Sequence, residues 1–334
     1  MEPASSAASP RSGQVRAWMS DHPATVFLIV MAIIALFLIA DSGLRELAQK
    51  SINGVVAGSY FALGAIGLTL VYGILRLTNF AHADLLALGA YVAYAFNVSI
   101  GMPFVVAMAI SIVLVAAFSI ATELAMFRPM RKRKAGVLQL ILMTIGLGFM
   151  IRYTIQFFAG TEPRKLDVNV TDTINFIGLS IGRTQLIVVI VGFIVLAAVA
   201  IMLRYTSLGR QMRALADNFD LAETTGINTG MIVILTWALA GGLAALAGVL
   251  IGASINDFRP ETFFPLLLSL FAAVTLGGIG NAFGALAGGL VIGITQEWST
   301  IVIASEWKVA ISFLVLIIVL IVRPQGIFGK ERTL

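Results

Sequence analysis

Long hydrophobic runs follow one another along the chain, separated by short segments that hold charged or turn residues. A transmembrane helix needs roughly 17–25 mostly apolar residues to cross a hydrocarbon core of about 30 Å. The pattern therefore predicts an all-α integral membrane protein, a polytopic bundle with about ten spans and eight by a conservative count. The predicted spans are 24–40, 53–75, 84–100, 103–127, 137–158, 184–203, 230–253, 263–279, 282–298 and 307–322.

Two of the boundaries, at 78–82 and 277–281, have two interpretations. Each can be a tight hairpin between spans or a re-entrant break inside the membrane, because irregular backbone is tolerated at that depth only where protein or water surrounds it.

Composition agrees with a protein that uses the bilayer as its solvent. Hydrophobic residues make up 59% of the 334 residues, charged residues only 12%, and the mean hydropathy is +0.98. The chain has no cysteine and two histidines, His22 and His82, so disulfides, thiolate catalysis and a histidine-rich metal centre are not expected. We therefore expect no metal and no cofactor.

The first 23 residues form a polar extension that precedes a single transmembrane domain, residues 24–334. The run 24–40 is interpreted as the first transmembrane helix, since it is longer than a usual signal-peptide core. A cleaved signal peptide is the alternative, with Ala40-Asp41-Ser42 as a possible processing site.

Basic residues alternate between loops in a way that predicts orientation. One set of loops is rich in lysine and arginine, and such loops face the cytoplasm. These basic residues are Arg128, Arg131, Lys132, Arg133, Lys134, Arg204, Arg210, Arg213, Arg323, Lys330 and Arg332. With ten spans, both termini are cytoplasmic, and the net charge of +5 is a topology signal rather than a sign of nucleic-acid binding.

Glycines recur at four-residue spacing, which places them on one helix face and lets two backbones approach closely in lipid. They are Gly54 and Gly58, Gly248 and Gly252, Gly280, Gly284 and Gly288, and Gly289 and Gly293. The pattern fits packing inside this subunit, with a face for a second membrane subunit as the alternative.

The chain lacks the Gly-x-x-x-x-Gly-Lys-Ser/Thr phosphate-binding loop, so it is not expected to bind ATP itself. Its longest cytoplasmic connection, 204–230, predicts an amphipathic helix with Thr206-Ser207 as N-cap and Gly226 at its end. The apolar stripe of that helix comprises Met212, Leu215, Phe219, Leu221 and Ala222. Docking onto a partner protein and lying on lipid headgroups are both compatible with this pattern.

This connection resembles the cytoplasmic coupling loop of ABC-importer permeases, in particular the permeases of branched-chain amino acid uptake systems. The matching residues are Gly209, Arg210, Arg213, Ala214, Asp217, Ala222, Gly226, Ile227 and Asn228. Two further blocks and the tail are similar to the same family, and the first block looks like the LivH type. They comprise Ile52-Asn53-Gly54, Gly58-Ser59-Tyr60, Val71-Tyr72-Gly73, Asn79-Phe80-Ala81-His82 and Leu88-Gly89-Ala90-Tyr91, then 276–281, and then 323–329.

The resemblance implies an ABC-importer permease fold in the bacterial plasma (inner) membrane and a transport subunit that is not an enzyme. It also implies a second permease, either a paralogue or another copy, two cytoplasmic ATPase subunits and an extracytoplasmic solute-binding protein. The implied solute is a branched-chain or other apolar amino acid. The residues expected to couple to the ATPases are Gly209, Arg210, Arg213, Ala214, Asp217, Ala222 and Gly226.

Four polar residues are candidates for the translocation path, because polar and ionisable groups at membrane depth are often functional. They are Asn53, Asn79, His82 and Asp84. The family usually has glycine then glutamate where Ala83 and Asp84 stand, which puts the exact solute in question. Capping of the following helix by Asn79 or Asp84 is the alternative to solute contact.

Three other functions remain open from sequence alone. The same importer class can carry urea, short amides or aromatic acids. A stand-alone secondary transporter or channel would also be a helix bundle with broken helices, and an integral membrane enzyme is disfavoured because few acid–base groups lie in the spans.

Overall fold

The computed structural model describes residues 23–176, 178–323 and 325–327. The polar extension up to residue 22 and the basic residues Lys330 and Arg332 therefore lie outside the described residues, as does the predicted position of the two termini. Part of the tail motif 323–329 is also outside them.

The described chain is almost entirely helical, and each predicted span contains a helix, which confirms the predicted fold class. The helices are α1 (Pro23–Ser42), α2 (Leu44–Leu75), α3 (His82–Tyr94), α4 (Phe104–Thr122), α5 (Arg128–Lys132), α6 (Val137–Ala159), α7 (Arg183–Tyr205), α8 (Ser207–Asp217), α9 (Phe219–Thr224), α10 (Thr229–Ile255), α11 (Leu266–Gly277), α12 (Ala282–Ser299) and α13 (Lys308–Val322).

Shorter elements complete the chain. π-helical turns extend α3 over Ala95–Ser99 and join α4 to α5 over Glu123–Phe127, and 3-10 turns cover Pro260–Thr262 and Ser305–Trp307. Strands β1 (Thr173–Phe176) and β2 (Leu179–Gly182) form an antiparallel hairpin in which Thr173 lies opposite Gly182.

Eight helical segments of the described chain are long and apolar enough to cross a membrane. The two predicted spans that fall short of this standard are α3 and α12. Both contain polar or charged side chains, such as Asp84 in α3 and Gln296 in α12. Other helices surround α3 on nearly all sides and cover one side of α12. The predicted range of eight to ten spans therefore holds, with these two helices as the intermediate cases.

The centre of the bundle is α2, which packs on α12 through small residues. A Cβ atom added to Gly54 would lie 2.6 Å from Ile294 Cα, and one added to Gly58 would lie 2.7 Å from Leu290 Cα. Only glycine permits such a close approach of two backbones. In lipid the hydrophobic effect does not drive helices together, so this close packing stabilises the pair of helices instead. Gly248 of α10 packs in the same way on α3, so these repeated glycines serve contacts inside this subunit.

The boundary at 78–82 is a re-entrant break. Helix α2 ends at Leu75, Arg76 adopts a left-handed conformation with φ 52°, and the chain turns back into the bundle. His82, the first residue of α3, contacts the carbonyl of Gly64 at 2.9 Å, eleven residues before the end of α2. At 1.5 Å per residue this is about 16 Å inside the bundle.

The boundary at 277–281 is a tight glycine turn between α11 and α12. Gly278 and Gly280 have positive φ angles of 91° and 87°, which glycine adopts without steric cost. Asn281 then caps α12 by accepting a hydrogen bond from Gly284 N at 3.1 Å. This turn also lies against α2, since Gly280 N donates to Thr69 Oγ1 at 3.0 Å, six residues before the end of that helix.

Contacts place the predicted cytoplasmic and external loops at opposite ends of the bundle. Arg76, at the end of α2, donates to the carbonyl of Ala216 in α8 at 2.9 Å. At the start of α2, Arg45 donates to Gly178 and Gln49 to Ser180, at 2.8 and 2.7 Å, so the β-hairpin lies there. Which end faces the cytoplasm stays a prediction from the distribution of charge.

Candidate coupling surface and buried polar centre

The segment after α7 is a bent pair of helices rather than the single predicted helix. Thr206 Oγ1 caps α8 by accepting from Gly209 N at 3.2 Å, as the sequence predicts. Asn218 then leaves the helical conformation, with φ −152° and ψ 108°, and its Oδ1 caps α9 by accepting from Leu221 N at 3.0 Å. The prediction of one helix is wrong because Asn218 offers the backbone a capped restart.

The end of α9 lies where the sequence places it. Gly226 has φ 85°, and Ile227 N donates back to the Ala222 carbonyl at 3.3 Å. This left-handed glycine satisfies a carbonyl at the helix end.

The bend divides the predicted apolar stripe between two sides. Met212, Leu215 and Ala222 are buried against the bundle. Phe219 and Leu221 are 37% and 60% exposed, so the prediction that they share the buried stripe is wrong. The outer surface of α8 and α9 therefore carries two apolar side chains among charged ones.

The seven predicted coupling residues fall into an exposed set and a buried set. Arg210, Arg213, Asp217 and Gly226 are exposed, Ala214 is partly exposed, and Gly209 and Ala222 are buried. The buried members cannot reach a partner protein directly in this conformation. The coupling role of the set stays a prediction.

Two of these residues fasten α8 to the end of α7. Arg213 Nη1 donates to the carbonyl of Leu203. The backbone of Leu203 also fills the space that a side chain on Gly209 would need. Arg76 joins α8 to α2, and Asn228 caps the start of α10 by accepting from Met231 N at 3.0 Å. The segment is therefore attached to three long helices.

A second set of polar residues surrounds the start of α3. Asn79 Oδ1 accepts from Ala81 N at 3.1 Å, and His82 Nε2 lies 2.9 Å from the Gly64 carbonyl. Both side chains are fully buried. Within the part of the chain that the structure describes, Asn79 Nδ2 and His82 Nδ1 have no hydrogen-bond partner.

Asp84 points away from His82 and forms an ion pair with Arg152 of α6. Arg152 Nε and Nη2 each lie 2.9 Å from Asp84 Oδ1, and Asp84 is 2% exposed. The first turn of α3 has no side-chain cap, so Asp84 does not cap α3, although it lies in that turn at the positive end of the helix dipole. Its carboxylate instead bonds to the guanidinium. Asn79 satisfies the N–H of Ala81, the residue before α3.

Arg152 belongs to a row of residues, four apart along α6, that faces α3 and the turn before α11. Thr144 Oγ1 accepts from Phe80 N at 3.1 Å, and Gln156 donates to Glu261. Between them Gly148 leaves room for Asp84, because an added Cβ would lie 2.5 Å from Asp84 Oδ2. Sequence reasoning missed this row, although its four-residue spacing within an apolar run was a usable signal.

Asn53 lies apart from the other translocation-path candidates. It is eleven residues from Gly64 along α2, or about 16 Å. It lines a cavity of about 380 Å³ between the start of α2 and the β-hairpin, and accepts from Gln49 Nε2 at 3.2 Å. The structure therefore groups Asn79, His82 and Asp84 around one helix start and leaves Asn53 outside that group.

The comparisons with known proteins bear on both regions. The family described as "Branched-chain amino acid transport system / permease component" matches residues 51–320. The chain belongs to this permease family. The match covers α8 and α9, the start of α3 and the row on α6, so every feature above except α1 lies largely within the shared permease domain.

Curated relatives match this permease along nearly their whole length. It is 34% identical over 298 residues to the high-affinity branched-chain amino acid transport system permease protein LivH of Escherichia coli K12, covering 85% of this chain and 96% of the relative. BraD of Pseudomonas aeruginosa, of the same description, is 31% identical with the same coverage. The ribose import permease protein RbsC of Escherichia coli K12 is 27% identical, covering 92% and 94%. No solved structure matches the chain significantly.

Proposed function

We propose that this permease is the membrane subunit of an ATP-binding-cassette importer that carries branched-chain or other apolar amino acids and is energised by separate ATPase subunits. The observation that carries the proposal is the bent pair α8 and α9, which exposes apolar and charged side chains while being fastened to three transmembrane helices. A mere connection between spans needs neither feature.

The exposed surface of this segment has the chemistry of a docking site. Leu221 and Phe219 of α9 offer apolar contacts, and the exposed Arg210 and Asp217 of α8 add charge of both signs. Protein interfaces commonly combine a few apolar anchors with a polar rim. Two cytoplasmic ATPase subunits, one for each permease of the pair, are the proposed partners.

The attachments of the segment give a route for movement into the bundle. A displacement of α8 acts on α7 through Arg213 and on the end of α2 through Arg76. The chain re-enters directly after Arg76 and leads within a few residues to His82 and Asp84. Closure of the ATPase pair would thus shift the polar centre between inward-facing and outward-facing states that differ in their contacts.

The solute assignment rests on the relatives with the higher identities. LivH and BraD are named for branched-chain amino acid transport, while the more distant RbsC is named for ribose. The likeness to RbsC indicates that the scaffold accommodates chemically different solutes, so urea, short amides or aromatic acids in the same importer class are the alternative. A second permease and an extracytoplasmic binding protein complete the proposed complex in the bacterial plasma membrane.

Co-purification tests the assembly. The tagged chain, expressed together with its neighbouring genes, is expected to retain two ATPases and a second permease through detergent extraction. The double variant Arg210→Ala with Arg213→Ala should lose the ATPases and keep the second permease, because it removes two exposed charges and the hydrogen bond from Arg213 to the end of α7. Isolation of the wild-type chain alone, with solute uptake driven by an ion gradient, would identify a secondary transporter and reject the proposal.

A further inference from the structure

The Asp84–Arg152 pair is unusual for its position. Arg152 lies seven residues before the end of α6, about 10 Å inside that span. Charged side chains at such depth are costly and face the bundle interior or a water-filled cavity. A buried ion pair adds little stability over apolar residues of similar size, so packing alone gives no reason for its presence.

The surroundings of the pair leave it open on one side. The Asp84 side chain is 2% exposed, and the Arg152 side chain, which lies in front of it, is 13% exposed. The guanidinium carbon lies 4.3 Å from the ring centre of Phe264. One turn farther along α6, Gln156 donates to the exposed Glu261, which lies in the 3-10 turn before α11. The pair is therefore open to the surface through the partly exposed guanidinium of Arg152.

The guanidinium of Arg152 also contacts only one of the two carboxylate oxygens of Asp84. Arg152 Nε and Nη2 both contact a single oxygen of Asp84, while the second oxygen packs against Gly148, where an added Cβ would lie 2.5 Å from it. Arginine can form two parallel hydrogen bonds with a carboxylate. Asp84 and Arg152 do not form these two parallel bonds, and a solute carboxylate that did so would bind the guanidinium more completely.

We propose that Asp84 and Arg152 form a transient binding station for the zwitterionic head of an amino acid, a proposal that deepens the proposed function and rests on it. Arg152 receives the solute carboxylate, and Asp84 receives the ammonium group. The aliphatic side chain packs beside the rings of Phe149 and Phe264, whose centres lie 5.7 and 4.3 Å from the guanidinium carbon. The two protein charges separate only as the two solute charges replace them. No charge is left unpaired at any stage, which avoids the penalty of an isolated buried ion.

Such a station is expected to be weak, because the solute must displace an existing ion pair. Weak binding suits a translocation path, since a tightly held solute would leave slowly. A latch between α3 and α6 that never touches solute is the alternative role for the same pair. Thr144 and Gln156 already fasten α6 to the same neighbours, so a latch alone would duplicate existing contacts.

Uptake of radiolabelled leucine by the complete importer separates the two roles. Asp84→Asn and Arg152→Gln are each expected to lower the uptake rate about tenfold or more, the effect of losing a charged hydrogen bond. The double variant restores a neutral pair that can still fasten the helices, so the station predicts that uptake stays low. Recovery of uptake in the double variant would assign the pair to a latch and overturn the proposal.

The same assay includes a control variant and separates failure of the station from failure of the proposed function. Lys308→Gln neutralises an ion pair with Glu297, at 2.5 Å near the predicted outer surface, and should leave uptake unchanged. A wild-type importer that shows no ATP-dependent leucine uptake would reject the proposed function itself. Normal wild-type uptake with equally normal uptake by both single variants would reject only the station.

Chemical labelling gives a readout independent of transport. Leu268 is 39% exposed and follows Phe264 by four residues, about one helical turn, and the chain has no cysteine, so Leu268→Cys provides a single thiol one turn from the station. Millimolar leucine should slow its alkylation in the assembled importer, and equimolar ribose should not. Adding Arg152→Gln should abolish the protection. Absence of protection by leucine, or protection that survives Arg152→Gln, would overturn the proposal.

Discussion

The exposed apolar pair on α9 gives the sharpest test of ATPase docking. Full burial of a leucine or phenylalanine side chain is worth about 1.5–3 kcal/mol. With Leu221 60% exposed and Phe219 37% exposed, a partner that covers both gains about 2 kcal/mol. Leu221→Ser combined with Phe219→Ala should therefore weaken ATPase binding about 30-fold. Folding should change little, because exposed side chains contribute little to it.

Titration of purified ATPase subunits onto the permease in lipid nanodiscs measures this effect as a dissociation constant. Leu221→Met is the matched control, since it keeps an apolar side chain of similar volume and should bind like wild type. If the segment lies on lipid headgroups instead, the double variant would bind the ATPases normally. An unchanged dissociation constant in the double variant would refute the docking argument.

Three further outcomes follow from the structure. Gly289→Ala should lower the melting temperature of the purified permease, because the new methyl group meets the backbone of α2, while Gly146→Ala, with open space around it, should not. Lys308→Ala should cost at most about 1 kcal/mol of stability by denaturation, as partly exposed ion pairs contribute little. In intact cells, an impermeant thiol reagent should label Val168→Cys and spare Ala135→Cys, and the reverse would invert the predicted topology.

Hydrophobic patterning was enough to predict the helices, because each span is a long apolar run bounded by charges or glycines. Helix α6, predicted as 137–158, occupies Val137–Ala159. The same pattern could not choose between a hairpin and a re-entrant break at 78–82 and 277–281. That choice depends on the depth at which the next helix starts, which contacts such as His82 with Gly64 determine.

The candidate sites were harder to predict because they depend on local backbone preference and on pairing between distant elements. The bend at Asn218 came from one capping side chain that overrode a continuous helical period. Asp84 was identified as a candidate, but its partner Arg152 lies 68 residues later, and nothing in one sequence links the two. The β-hairpin was not predicted either, because its two four-residue strands lie within a single connection between α6 and α7.

The most direct test of the central claim is leucine transport into proteoliposomes of defined composition. We expect ATP-dependent accumulation when this chain, a second permease, the two ATPases and the binding protein are all present, and none when the ATPases are omitted. Accumulation by this chain alone, driven by an ion gradient and indifferent to ATP, would contradict the central claim.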